Sequence, residues 1–222
     1  MKNMTIIIAL LFIFTSCKKE SVNPIDSNSN KTSVTQNKSR SFLFVGDSQM
    51  AREGSAYTVF TDKYPTETAY KIAKGGMTTE WLADTLEKCD LHYTDVVIFI
   101  GTNDTYQIPD INVSKVNIYR IISSVRKNNK KDSIHTNIVF YTVPPCKNFH
   151  NGTSYFWDET KGKRINDFNN FLKGLPGVNI VDVYGIVNDN QAIAPIYSEP
   201  EGLHINPYAN KVIFMFLKAI LF

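Results

Sequence analysis

Five apolar runs divide the chain. Residues 41–45 form a short one that closes on Gly46, and residues 68–72 form a weaker one. Residues 95–100 contain Val96-Val97-Ile98-Phe99-Ile100 with no polar alternation, the pattern of a strand buried on both faces. Residues 138–143 repeat it and stop at Pro144-Pro145, and residues 178–183 make the fifth run. Between the runs, apolar positions recur at helical spacing: Trp81, Leu82, Leu86 and Cys89, then Ile118, Ile121, Ile122 and Val125, then Ile165, Phe168 and Leu172. A last helix is predicted behind Asn206, a good cap, and Pro207, which suits a first helical position. Its inner stripe is predicted as Tyr208, Val212, Met215 and Ala219. Strand alternating with helix five times predicts an α/β fold, a three-layer α/β/α sandwich around a five-stranded parallel sheet. In such sheets sites form at the carboxyl ends of the strands.

The N-terminus has a different character. Lys2 precedes an unbroken apolar run over residues 6–14. That run is shorter than the roughly 20 residues a bilayer span needs, and it fits the apolar part of a secretory signal. It ends in Phe14-Thr15-Ser16-Cys17, which resembles a bacterial lipoprotein box. The expected organisation is therefore a signal peptide over residues 1–16, a lipidated Cys17 with a polar tether over residues 17–40, and one folded domain over residues 41–222. The expected location is the bacterial cell envelope, with membrane contact through the N-terminal lipid alone. Of the formal net charge of +3, residues 1–40 hold six Lys/Arg against two Asp/Glu, which leaves eighteen against nineteen in the rest. A nearly neutral folded part gives no electrostatic basis for nucleic-acid binding. Cys89 and Cys146 are expected to stay unpaired, because Cys89 closes the helix before one strand and Cys146 follows the end of the next, which puts them at opposite ends of a parallel sheet.

Four short motifs fall where elements end: Gly46-Asp47-Ser48, Gly75-Gly76-Met77-Thr78, Gly101-Thr102-Asn103-Asp104 and Glu201-Gly202-Leu203-His204. They offer a hydroxyl, a glycine amide, an asparagine amide and an imidazole, the parts that acyl transfer needs. Of the other histidines, His92 and His135 approach strands from the opposite edge of the sheet, and His150 sits in a long loop. The histidines are scattered, and neither His-Glu-x-x-His nor Cys-x-x-Cys occurs, so no metal or other cofactor is expected. The absence of Gly-x-Ser-x-Gly argues against an α/β-hydrolase.

Over residues 41–222 these motifs resemble the SGNH (GDSL-type) hydrolase family, in a flavodoxin-like fold. The resemblance implies that Ser48 is the nucleophile and His204 the base. It also implies that the backbone N–H groups of Ser48 and Gly76, with the Asn103 side-chain amide, form the oxyanion hole. Gly76 is taken over Gly75 because Gly-Gly-Met-Thr-Thr is similar to members in which the second glycine donates. Asp104 is expected to order its loop. The chain departs from the family at Glu201, where members carry Asp three residues before the histidine. The chemistry needs a carboxylate there, and the adjacent Gly202 helps absorb the extra methylene. Glu199 and Asp182 are the alternative acids.

The expected activity is hydrolysis of short acyl esters, above all acetyl groups on glycans. A lysophospholipase or other lipid esterase, acyl transfer to a sugar, and a catalytically inactive glycan-binding lipoprotein are the alternatives. Phe149, Tyr155 and Trp157, in the segment after the fourth strand, are candidate substrate-binding aromatics. Their alternative role is to cover the domain's own core.

Overall fold

The computed structural model describes residues 40–130, 135–151, 154–155 and 157–222. The expected signal peptide, the expected lipidation at Cys17 and the expected tether as far as residue 39 fall outside the described residues, as do Phe156 and the side chain of Tyr155. Strand β1 (Ser41–Gly46) leads through α1 (Ser48–Ala51) and α2 (Ala56–Lys63) to β2 (Thr68–Ala73). There follow α3 (Thr79–Glu87), β3 (Asp95–Phe99), α4 (Thr102–Gln107), α5 (Ile111–Lys130) and β4 (Asn137–Tyr141). A small hairpin of β5 (His150–Asn151) and β6 (Ser154–Tyr155) precedes α6 (Glu159–Lys173), β7 (Asn179–Val181) and α7 (Val183–Val187). A second hairpin, β8 (Asn188–Asp189) with β9 (Ala192–Ile193), precedes α8 (Pro207–Leu221).

The five long-range strands pair in parallel in the order β2-β1-β3-β4-β7. The winding reverses between β1 and β3, so the crevice of the sheet opens beyond their carboxyl ends. The unalternating strands have a simple cause. Leu43, Val45, Val96 and Ile98 face one core with Leu82, Ile121 and Ile165 of α3, α5 and α6. Phe42, Phe44, Val97 and Phe99 face a second core with Phe60, Ile213 and Leu217 of α2 and α8. Every central position is therefore covered, and each such buried side chain contributes about 1.5–3 kcal/mol.

At the amino edge of the sheet the Arg40 guanidinium grips the buried Asp95 carboxylate, at 2.6 Å from Nη2 and 3.1 Å from Nε. It also donates to the Leu221 carbonyl and lies 5.0 Å from the ring centres of both Phe42 and Phe222. The start of β1 is thereby fixed to β3 and to the end of α8.

Three expectations are corrected. The fifth strand is confined to Asn179–Val181, because the Asp182 carboxylate accepts the Gly185 N–H and starts α7. The fourth run leaves the sheet after Tyr141, where the Asn169 side chain takes both the N–H and the carbonyl of Val143 at 2.8 Å. In α8 the inner stripe is Ala209, Ile213, Phe214, Leu217 and Leu221, while Tyr208 is 52% and Met215 63% exposed. Both faces of this helix are apolar, so spacing defines a period without selecting the side that turns inward. Cys146 is buried and bonded to the Tyr106 hydroxyl, and no disulfide joins it to Cys89. Among the described residues no helix is long and apolar enough to cross a membrane.

Candidate active site

Strand β1 ends at Gly46 because β3 approaches too closely for a side chain: a Cβ there would lie 2.0 Å from the Phe99 carbonyl oxygen. The next N–H, of Asp47, donates to that carbonyl at 3.1 Å. The Asp47 carboxylate then accepts the Gln49 N–H at 2.9 Å, capping α1, and the Thr102 N–H at 3.3 Å. One fully buried carboxylate thus joins the turn that carries Ser48 to the turn that carries Asn103. Burial pushes its pKa up to about 7, against the two amides that pull it down.

Asp104 makes the second such joint. Its carboxylate accepts the Thr79 N–H at 3.0 Å and the Thr79 hydroxyl at 2.5 Å, which ties the Gly-Thr-Asn-Asp turn to the start of α3. Burial raises its pKa as well. Asp104 therefore orders the loop, as expected. Beside it, the Asn103 amide donates to the Met77 carbonyl at 2.9 Å. An amide carries two hydrogens, so one remains for a ligand.

The Gly75-Gly76 turn lies against the serine. A Cβ on Gly75 would sit 3.8 Å from the Ser48 Cβ, whereas one on Gly76 would meet nothing within 4 Å. Among the described residues neither the Ser48 nor the Gly76 N–H is taken by another protein group. Helix α1 is a single turn, so its macrodipole adds little and the amides themselves are the donors.

The fourth motif forms a tight turn closed by Glu199 N–H to the His204 carbonyl at 2.8 Å and Gly202 N–H to the Glu199 carbonyl at 3.0 Å. Gly202 adopts φ +75°, and a Cβ on it would lie 2.6 Å from the Asn148 carbonyl oxygen. In this turn the Glu201 carboxylate returns to His204 Nδ1 at 2.5 Å, and His204 Nε2 lies 2.9 Å from Ser48 Oγ. With Nδ1–H given to Glu201, Nε2 is left with a lone pair facing the serine hydroxyl. The His204 and Glu201 side chains are 13% and 32% exposed. Burial, opposed by the Glu201 hydrogen bond and reinforced by the charge of Arg52, holds His204 below its ordinary pKa. For Glu201, burial works upward, but the His204 hydrogen bond and Arg52 bring the net pKa below the ordinary value.

Arg52 was not among the residues expected. Its Nη1 lies 3.0 Å from His204 Nδ1 and 3.5 Å from Glu201 Oε1. Its position one helical turn beyond Ser48 is the one trace of this in the sequence. Of the alternative acids, Asp182 lies in the α7 cap and bonds Lys173 and Thr142, and Glu199 shapes the turn through its backbone.

Phe149 packs edge-on to Tyr106 at 5.7 Å, and Trp157 covers Gly162 of α6, where a Cβ would come within 2.3 Å of the ring. Both contribute to the core around α6. Their segment also buttresses the fourth motif, with the His150 N–H donating to the Glu201 carbonyl at 3.1 Å. Among the described residues no group of three or more His, Cys, Asp or Glu side chains is arranged to hold a metal ion.

A hydroxyl, an imidazole and a carboxylate in line, beside free amides at a sheet edge, can generate an alkoxide and stabilise the oxyanion it forms on an ester. No curated protein matches the chain by sequence. Among solved structures, a Streptococcus pneumonia protein aligns with TM-score 0.65 and 20% identity over 85% of this chain and 86% of its own. The acetyl xylan esterase AlAXEase aligns with TM-score 0.64 and 16% identity over 82% and 100%. A GDSL-like lipase from Bacteroides thetaiotaomicron aligns with TM-score 0.61 and 18% identity over 82% and 88%. These likenesses establish the α/β fold. The model of the GDSL-like lipase/acylhydrolase family matches residues 44–212, so the chain belongs to that family and is a carboxylic ester hydrolase.

Proposed function

We propose that the protein is an envelope esterase that removes short acyl groups, above all acetyl, from hydroxylated glycans. The observation that carries the catalytic part is the line Ser48 Oγ, His204 Nε2, His204 Nδ1, Glu201 Oε1, with contacts of 2.9 and 2.5 Å. Ser48 Oγ attacks the ester carbonyl carbon as its proton passes to Nε2, and Glu201 stabilises the imidazolium. The oxyanion is met by the Ser48 and Gly76 amides and the Asn103 side chain. Collapse breaks the bond to the alcohol, which departs with the proton from Nε2. Water then gives a proton to Nε2 and attacks the acyl-serine, releasing the acid and restoring the hydroxyl. The extra methylene of Glu201 is taken up by the turn at Gly202, whose left-handed φ brings the carboxylate back to the ring. The lowered pKa of His204 keeps it neutral, and so competent as a base, at neutral pH.

The acetyl xylan esterase that shares the fold supports the glycan substrate. The lipoprotein-like Cys17 supports an envelope address. Ser48→Ala is expected to abolish turnover of p-nitrophenyl acetate and labelling by a fluorophosphonate, and turnover that survives the change would remove Ser48 from the mechanism. Release of acetate from acetylated xylan, without release of fatty acid from lysophosphatidylcholine, is the expected specificity; the reverse pattern favours the lipid-esterase reading. Cys17→Ser is expected to move the protein out of the membrane fraction, and unchanged membrane association would defeat lipidation at that residue.

A further inference from the structure

We infer that Gln49 is a positioning residue that sets His204 for proton transfer, by holding the backbone on both sides of the histidine. The inference rests on the esterase reading for its kinetic consequences and on geometry for its basis. Gln49 follows the nucleophile directly and is 2% exposed. Its Nε2 donates to the Leu203 carbonyl at 2.9 Å, and its Oε1 accepts the Ile205 N–H at 3.2 Å. Leu203 and Ile205 are the two neighbours of His204. A single side chain therefore spans the backbone that bears the base.

Only an amide supplies this pair. A carboxylate lacks the donor, and an aliphatic chain lacks both donor and acceptor. Gln49 is the chain neighbour of Ser48, so these two hydrogen bonds tie the backbone beside the nucleophile to the backbone on both sides of the base. The Glu201 contact sets which tautomer the ring adopts, while Gln49 sets where its backbone stands relative to Ser48. Asp47 fixes the opposite end of the arrangement by accepting the Gln49 N–H at 2.9 Å.

The test compares Gln49→Leu and Gln49→Glu with the unchanged protein, using p-nitrophenyl acetate and circular dichroism. Gln49→Leu is expected to retain the fold and to lower kcat by about 10–100-fold with KM within about twofold, because displacement of a base by less than an ångström is felt mainly in the chemical step. The Gln49→Glu side chain reproduces the donor and acceptor when protonated and loses the donor when ionised. Burial at this position raises a carboxyl pKa well above its ordinary value of about 4.3, so the protonated form grows as the pH falls, and kcat, as a ratio to the unchanged protein, is expected to rise at least about tenfold between about pH 8 and about pH 5. A ratio that stays flat overturns the inference, and so does a folded Gln49→Leu variant with kcat within about twofold of the unchanged protein. If Gln49→Leu does not fold, the pH ratio decides.

Should the unchanged protein hydrolyse no ester, the esterase reading fails, and Gln49 is judged on the His204 imidazole nitrogen resonances. A single Nδ1–H tautomer that becomes mixed, or a ring that titrates at a different pH, in Gln49→Leu supports the positioning role. An unchanged ring spectrum removes it.

Discussion

Thr79 gives both its backbone N–H and its hydroxyl to the Asp104 carboxylate, at 3.0 and 2.5 Å, inside a buried joint between α3 and α4. The motifs that carry Gly76 and Asn103 are held at a fixed spacing by this contact. Asp104→Ala leaves two buried donors unmet, which costs about 1–3 kcal/mol each in sites of this kind. Urea denaturation is expected to show a loss of that order, with kcat falling as the two motifs separate. Asp104→Asn, which keeps one acceptor, is expected to lose less of both.

The Asn103 amide is proposed to meet the oxyanion with the hydrogen that Met77 leaves unused. Asn103→Ala is expected to reduce kcat by about 10²–10³-fold, the usual effect of removing one such donor. KM is expected to move little, because the charge develops in the transition state. Steady-state kinetics on p-nitrophenyl acetate make the check.

Gly202 combines a left-handed φ of +75° with a close approach to the Asn148 carbonyl. An alanine there carries about 1–2 kcal/mol of backbone strain and must also push the facing loop away. Gly202→Ala is expected to lower the thermal midpoint and to reduce kcat by moving Glu201 off Nδ1. Serine labelling by a fluorophosphonate is expected to slow in parallel.

Arg52 sets a positive charge 3.0 Å from the His204 ring. That charge lowers the histidine pKa, in the same direction as burial, and only neutral His204 accepts the serine proton. The acid limb of kcat/KM against pH reports this group. Arg52→Ala removes the charge and admits water, both of which raise the pKa, so the limb is expected to shift to higher pH. Arg52→Lys keeps the charge and is expected to shift it less.

The fold was legible because central strands buried on both faces leave a plain mark, as in Val96 to Ile100, and because turns need glycine where chains approach. The histidine that meets the serine was legible from its setting before a proline-started helix. What escaped the sequence were contacts made across long separations by ordinary-looking residues. Gln49 reads as one polar position in a short helix, yet its partners Leu203 and Ile205 lie more than 150 residues away. Arg52 reads as a solvated charge, and its neighbour is the imidazole. The α8 stripe failed for a different reason: Tyr208 and Met215 repeat with the same period as Ile213 and Leu217, and the choice between faces was made by the sheet. Phe149 and Trp157 show the same competition between core and surface, since an aromatic serves either and packing on α6 claims both.

The clasp of Arg40 on Asp95 has a mechanical meaning. The chain enters the sheet at the pole from which the parallel strands depart, while the reactive hydroxyl stands at the pole where they arrive. Six residues of β1 at about 3.3 Å each put roughly 20 Å between the two. A force applied at residue 40 would meet the guanidinium–carboxylate clamp before it reached the turn that bears Ser48.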